Sequence, residues 1–393
     1  MRESTNGVDP RLVERVRSAL AAEAGVPSPA RVAAALRSEG TVLGDSAVLE
    51  VTDLLRAEIA GAGPLDALLR EPGVTDVLVN APDSVWVDRG QGLERSPVRL
   101  RDEAAVRRLA QRLAAAAGRR LDEAVPYVDA RLPGGVRLHA VLPPISPYGT
   151  LVSLRVPAGR TFGLDDLVAA GSVPAGLAEV LVALVRARLA FLVTGGTGSG
   201  KTTVLGALLG LADPAERMVL VEDSGELRPD HPHVVRLEAR APNVEGAGRV
   251  GLDDLVRQAL RMRPDRLVVG EVRGAEVVVL LAALNTGHEG GCGTLHANSA
   301  ADVPARLEAL GVGAGLRRDA VHSQAAAALD VVVHLVRERS GLRRVTELHV
   351  LSRSSGGELV SVLALRAELD GEIRPGPAAA DLEALVAARG GSR

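Results

Sequence analysis

Aromatic residues are nearly missing from this chain: one Trp, two Tyr and two Phe make up 1% of its 393 residues. The core must therefore be built from Val, Leu and Ala, without ring stacking. Cysteine is scarcer still. Cys292 stands alone, which excludes an intrachain disulfide, leaves zinc without a cysteine cluster, and fits a reducing compartment. No apolar run approaches the ~20 residues that a membrane span needs, and the longest, such as 277–284, suit a buried helix. The first ten residues carry no signal-peptide pattern. These absences point away from a secreted, fibrous or integral membrane protein. A net charge of −3 gives no global pull toward nucleic acid or acidic membrane. Lysine is the most informative absence. Of 46 basic residues only Lys201 is a lysine, so the surviving one marks a place where arginine was not acceptable.

What is present suggests two or three domains. Residues 1–60 read as a helical extension, with Val13, Val16 and Leu20 at helical spacing and a second helical stretch over 48–59. Residues 61–157 read as a small α+β unit. Short strands at 77–79 and 85–87 flank the turn Ala81-Pro82-Asp83, and Asp102 can cap a helix over 103–117 that Gly118 stops. Further strands are predicted at 137–142 and 151–156, and 158–163 reads as a linker. From 164 to 376 apolar strands alternate with helices, the α/β pattern of a parallel sheet. Its strands are expected at 191–194, 218–221, 267–269, 294–295 and 331–336, the last forming a hairpin with 345–350. Residues 377–393 read as a loosely ordered tail.

Gly195-Gly196-Thr197-Gly198-Ser199-Gly200-Lys201-Thr202 is a complete phosphate-binding loop, followed by Thr203. It comes after a predicted strand and opens a helix, as the motif requires. Its glycines let backbone N–H groups turn toward phosphate oxygens, and the helix N-terminus adds its positive end. Lys201 is expected to reach the β- and γ-phosphates of ATP, and Thr202 to ligate Mg²⁺. Glu222, Asp223 and Glu226 follow the strand at 218–221, Glu271 follows 267–269, and His296 ends 294–295. The C-terminal ends of parallel strands share one edge, so these groups should converge on the phosphate site. There a carboxylate can polarise the attacking water or hold a metal-bound one, and an imidazole can sense the γ-phosphate. The usual acidic strand end is Glu271 here rather than Asp, so Glu271 takes that role or the site is metal-poor. Glu222 and Glu271 are the candidate carboxylate ligands of Mg²⁺. His288 reads equally as a helix-terminal structural group or a site residue. His231 and His233 flank a proline and do not make a convincing metal pair.

In this order the motifs resemble the secretion-superfamily ATPases, in the CpaF/TadA-like branch of Flp/Tad pilus motors related to type II and type IV secretion ATPases. The resemblance rests on 195–203 (Walker A), Val221-Glu222-Asp223-Ser224-Gly225-Glu226-Leu227 (Asp box), 261–276 with Val269-Gly270-Glu271 (Walker B), Asn285-Thr286-Gly287-His288, and Thr294-Leu295-His296-Ala297-Asn298 (His box). It extends to Gly61-Ala62-Gly63-Pro64-Leu65, 74–80, 129–133 and 138–144, and so covers about 48–350. It implies a RecA-like P-loop ATPase domain, a smaller PAS-like α+β N-terminal domain, a hexameric ring, and ATP bound between the two domains. It also implies phosphate contacts from Arg137, Arg155 and Arg263. Three departures stand out: Val156 follows Arg155 where a second basic residue is common, Gly293-Thr294 replaces a Thr-Thr pair, and Cys292 is unusual in its loop.

The function implied is an ATP-hydrolysing homo-oligomeric motor for pilus assembly or secretion. It would be cytoplasmic and held at the inner membrane by a platform protein, without inserting itself. Two rivals stay open: an ATPase of a conjugal DNA-transfer apparatus, and a nucleotide-binding scaffold without turnover. Few aromatics argue against a stacking channel for single strands, whereas an arginine-lined pore could still track phosphates.

Overall fold

The computed structural model describes residues 61–90, 92–157, 161–240, 242 and 247–390, together with 16, 29–38, 41, 44, 48–49 and 51–52. Most of the helix expected over 48–59, the first helical stretch apart from Val16, and part of the 158–163 linker lie outside the described residues. The chain divides into two compact units, Met1–Ala158 and Gly159–Arg393.

In the first unit, α1 (Pro29–Ser38) and the short α2 (Asp66–Arg70) precede strands β1 (Asp76–Ala81), β2 (Ser84–Asp88) and β3 (Leu93–Arg95). Helix α3 (Glu103–Ala116) follows, then β4 (Tyr127–Arg131), β5 (Arg137–Val141) and β6 (Leu151–Arg155). The six strands form one antiparallel sheet in the order β3-β2-β1-β6-β5-β4. Alternation decides which face is covered: Val77, Val79, Val85, Val87, Leu138, Ala140, Val152 and Leu154 point one way. They pack against Val106, Leu109, Ala110 and Leu113 of α3 in one core. The Asp102 carboxylate accepts from the Ala105 N–H at 2.7 Å, capping α3 as its sequence predicts. Strands β3 and β4 escape the sequence pattern, since β3 is exposed throughout and so has no alternation to read.

The second unit contains α4 (Leu164–Ala169), α5 (Ala175–Arg186), β7 (Phe191–Gly195), α6 (Lys201–Leu209), β8 (Met218–Glu222), β9 (Val234–Glu238) and α7 (Leu252–Ala259). Then come β10 (Arg266–Val272), α8 (Glu276–Leu284), β11 (Cys292–His296), α9 (Val303–Gly313), α10 (Arg318–Ala328) and β12 (Val331–Arg337). The chain ends with β13 (Arg343–Arg353), β14 (Leu359–Ala367), β15 (Ile373–Pro375) and α11 (Ala379–Gly390). All nine strands share one sheet, in the order β15-β14-β13-β12-β7-β11-β10-β8-β9. From β12 to β9 the neighbours are parallel; β13, β14 and β15 add an antiparallel flank. Both faces are covered, and β7 is buried at all five positions. One face packs on α4, α5, α6 and α11 through Leu177, Leu181, Leu205 and Leu208. The other packs on α7, α8, α9 and α10 through Val256, Leu280, Leu281 and Leu307. The near-continuous Val/Leu runs of these strands follow from that two-sided burial.

The Ala- and Gly-rich tail read over 377–393 contains a helix. Residues 379–390 form α11, which buries Leu382 in the core. Arg389 donates to Asp330 at 2.9 and 3.1 Å. Its composition is too Ala- and Gly-rich to advertise that docking.

Candidate active site

Strand β7 ends where the phosphate-binding loop begins, and the loop depends on glycine for steric reasons. A Cβ at Gly195 would lie 2.4 Å from the Leu335 carbonyl oxygen. Gly198 and Gly200 stand at φ +70° and +92°, which side-chain-bearing residues rarely adopt. Ser199 is buried, and its hydroxyl donates to the Gly196 carbonyl at 2.9 Å. Lys201 opens α6, and its ammonium donates to the carbonyls of Gly195 and Gly196 at 3.0 and 2.9 Å. Thr202 is half-buried and Thr203 exposed in the first turn of α6.

Parallel pairing carries two neighbouring strand ends to the same edge. Leu295 of β11 pairs with Thr194, and His296 with Gly195. His296 Nδ1 lies 3.4 Å from the Lys201 ammonium, and its Nε2 lies 2.6 Å from Glu271 Oε1 at the end of β10. Glu271 also pairs with Arg273, whose guanidinium is 3.8 Å from Asp223. A chain of polar contacts thus runs Lys201–His296–Glu271–Arg273–Asp223 across the ends of β7, β11, β10 and β8. Burial, and next the Lys201 charge, push the His296 ring's proton affinity down. A neutral ring can accept from Lys201 at Nδ1 and donate to Glu271 from Nε2. Burial likewise pushes Lys201 down, opposed by Glu271.

Glu222 differs from Glu271. It is 3% exposed, and its Oε1 accepts the Glu226 and Leu227 N–H groups at 3.0 and 2.9 Å. Its Oε2 is buried with no hydrogen-bond partner, and burial pushes the carboxyl up to about 7. Gly270 makes the room, since a Cβ there would sit 2.7 Å from Glu222 Cγ. One oxygen of Glu222 thus closes its own turn, while the other has no partner. Glu226 is exposed and lends its N–H to this turn; its charge adds to the upward push on Glu222.

Two other expectations do not join the cluster. His288 Nδ1 sits 3.2 Å from the Ala283 carbonyl near the end of α8, a helix-terminal contact. Arg263 lies just before the first residue of β10, at φ +53°. The phosphate loop follows the opposite end of the parallel strands, about 20 Å away along a seven-residue strand. Arg263 therefore does not face the phosphate loop of its own chain. In the first unit, Arg137 and Arg155 pair in register on adjacent strands. Arg137 grips Asp129 with two hydrogen bonds, at 2.7 and 3.1 Å, holding that carboxyl below its usual range. Arg155 is 3.8 Å from Asp76.

The sequence pattern missed Arg273 and Arg343. Arg343 Nε donates to the Gly198 carbonyl at 2.9 Å, bracing the phosphate loop from β13. In a chain so rich in arginine neither stands out. The Gly293 departure has a packing reason, because a Cβ there would lie 2.6 Å from the Val269 carbonyl oxygen. The neighbouring Thr294 hydroxyl donates to the Gly270 carbonyl at 2.6 Å. Cys292 is fully buried, and burial pushes its thiol up to about 12, which disfavours the reactive thiolate.

Residues 58–358 match the family described as Type II/IV secretion system protein. The chain belongs to this family of secretion ATPases. Among its relatives, two proteins of Mycobacterium tuberculosis, each named "Putative conjugal transfer protein", are 60% identical over 321 residues, covering 80% of this chain and 91% of theirs. The conjugal transfer protein TrbB of Rhizobium radiobacter is 31% identical over 285 residues, covering 71% of this chain and 84% of its own. Among solved structures, the pilus retraction motor PilT with bound ADP shares the fold. Its TM-score is 0.52 at 21% identity, covering 83% of this chain and 85% of that one. Within the secretion ATPase family, the site here is one edge of the parallel sheet, built from the ends of β7, β8, β10 and β11.

Proposed function

We propose that this protein is an Mg²⁺-dependent ATPase that works as a homo-oligomeric ring, most simply a hexamer, powering a secretion or Flp/Tad-type pilus machine. The observation that carries the reading is the Lys201–His296–Glu271 chain beside a complete phosphate loop. Lys201, the loop amides and the N-terminus of α6 hold the phosphates and offset charge that develops in phosphoryl transfer. Glu271 orients the attacking water or accepts its proton, with Arg273 and His296 fixing its carboxylate. His296 bridges this base to the lysine that meets the γ-phosphate, so it reads the phosphate's presence. Glu222 shapes the turn at 222–227 and thereby sets Asp223 against Arg273. Mg²⁺ retains most of its water and needs few protein oxygens. The Thr202 hydroxyl, half-buried beside Lys201, and the Glu271 carboxylate are oxygen donors of that kind. Bound there, the ion would supply charge neutralisation at the phosphates.

The organisation follows the same reading: a helical extension over 1–60, a PAS-like domain over 61–157, a linker over 158–163 and a RecA-like domain over 164–376. The antiparallel sheet with one helix-covered face supports the second, and the P-loop parallel sheet the fourth. Arg137 and Arg155, side by side on β5 and β6, supply further phosphate contacts when a site is completed. A platform protein of the inner membrane is the partner, met at the cytoplasmic face. The relatives named for conjugal transfer favour a second reading, a motor for DNA transfer.

The test is ATP turnover per protomer as protein concentration rises, with Mg²⁺ and with or without single-stranded DNA. Turnover should climb and then saturate as rings assemble. DNA stimulation that falls steeply with salt would move the reading to DNA transfer. Absence of turnover at every concentration, with and without DNA, would leave a nucleotide-binding scaffold.

A further inference from the structure

Strand β12 runs beside the strand that carries the phosphate loop, and outlasts it. Leu335 pairs with Gly195, the last residue of β7, and β12 continues to Arg337. Two further residues advance a strand by about 7 Å, which brings Arg337 level with the loop. Alternation sets its face. Leu335 belongs to the core beneath α6, so Arg337, two residues on, points to the side on which α6 and its loop sit. The distances agree. Arg337 Nη1 lies 3.7 Å from where a Cβ at Gly198 would stand, and Leu335 Cδ2 lies 3.9 Å from the same position at Gly200.

Arg337 pairs in register with Arg343 across the β12–β13 hairpin. Like charges directly opposite each other on two strands repel. In the first unit the pair Arg137 and Arg155 is neutralised, by Asp129 and Asp76 at 2.7 and 3.8 Å. At the hairpin, among the described residues, no carboxylate pairs with either arginine. Arg343 spends its Nε on the Gly198 carbonyl at 2.9 Å. Glu338, the one acid of the turn 338–342, accepts the Ser340 hydroxyl at 3.3 Å. Arg337 is exposed, and among the described residues its guanidinium has neither a hydrogen-bond nor an ion-pair partner. A free cation with five N–H donors thus stands against a loop whose amides are turned to receive phosphate. The anion that would relieve the arginine pair is the one the loop is built to bind.

We propose that Arg337 is a nucleotide-binding residue, a phosphate contact supplied from the β12–β13 hairpin of the same chain. The proposal rests on the nucleotide-binding part of the reading above. It adds to that reading a cation that belongs to the same unit as the loop and stands beside it before any oligomer forms. Arg343 holds the loop by its carbonyl; Arg337 meets the ligand itself.

The full-length chain is tested as Arg337→Gln, Arg337→Lys and Arg339→Gln. Arg339 lies in the same turn, exposed and without a side-chain partner among the described residues, and so controls for the general positive charge of the hairpin. The readouts are binding of a fluorescent ADP without Mg²⁺ and its displacement by inorganic pyrophosphate. Arg337→Gln should weaken ADP binding about tenfold, the worth of a hydrogen bond between charged groups. Pyrophosphate should weaken by the same factor, because the lost contact is to phosphate. Arg337→Lys should recover part of the loss, since it keeps the charge without the planar fork. Arg339→Gln should bind both ligands like the wild type. The melting temperature of ligand-free Arg337→Gln should not fall, because the side chain has no bond to lose. Wild-type affinity in Arg337→Gln would overturn the proposal. Equal losses in Arg337→Gln and Arg339→Gln would overturn it too, by assigning the effect to overall charge. A loss for ADP with pyrophosphate unchanged would place Arg337 against the base or ribose and end the phosphate assignment. A wild-type chain that binds ADP but never turns over ATP would end the ATPase reading and leave this comparison intact. A wild-type chain that binds neither ligand would end both.

Discussion

The two edges of the parallel sheet in the second unit both gather charge, and they treat it in opposite ways. At the edge where strands begin, Arg266 is wholly buried and saturated. It donates to Glu216 at 2.5 and 3.4 Å, to the Val185 carbonyl at 2.7 Å and to the Gly290 carbonyl at 3.2 Å. Arg188 adds a second cation 3.5 Å from Glu216. At the edge where strands end, Lys201 rests on two loop carbonyls and a histidine, Glu222 keeps one buried oxygen without a partner, and Glu271 stays partly open. Saturated buried charge fastens elements together. Charge left under-satisfied beside a row of turned amides is arranged for a ligand.

Substitutions at the two edges should therefore fail differently. Glu271→Gln should lower kcat by about 10²–10⁴-fold, the range for losing a general base. Binding of a fluorescent nucleotide without Mg²⁺ and the unfolding midpoint should barely change; weakened Mg²⁺-free binding to the same degree would place Glu271 in holding the nucleotide itself. Arg266→Met should act on stability, costing about 3–5 kcal/mol in urea unfolding because Glu216 is left buried without its main partner. Adding Glu216→Leu should return much of that loss. An Arg266→Met protein that unfolds normally but has lost turnover would erase the contrast between the edges.

Glu222 tests the contrast through pH. Its folded-state pKa of about 7 lies above the ordinary 4.5, so the folded chain holds the proton more tightly than the unfolded chain. The stabilisation is complete below about 4.5 and is lost as pH rises through about 7. The group should lower stability by on the order of 3 kcal/mol between pH 4.5 and 8. Urea unfolding across that range should show the decline, and Glu222→Gln should flatten it. An unchanged slope in the variant would assign the decline to other groups. The smallest effect is expected at Arg343, which braces the loop from outside. Arg343→Gln should raise KM for ATP by about two- to tenfold, the net worth of one solvent-exposed hydrogen bond, with kcat nearly constant.

Legibility in the sequence followed the kind of signal each element carries. The phosphate loop, the Asp102 cap and the hydrophobic strands of the parallel sheet depend on contacts a few residues apart or on burial from both faces. Those leave local marks. Strands β9, β14 and β15 do not, because they lie at or near sheet edges with mixed exposure. Arg263 sits apart from its own chain's site for a related reason. Its motif lies next to the acidic strand in sequence, yet it precedes the strand while the site follows it, and only strand direction separates the two.

From the sequence alone came the P-loop, the single lysine in it, the order of acidic and histidine motifs, and the α/β alternation that brings strand ends to one edge. Each is a property of residue type and spacing, and chemistry acts on those directly. The tertiary structure decided which carboxylate stays available. Glu222 and Glu271 both end parallel strands, but the space beside Gly270 buries Glu222 against backbone amides, while Glu271 meets His296 and Arg273. It likewise paired His334 with Thr194, 140 residues away. Burial and long-range pairing are set by packing, which no local spacing encodes.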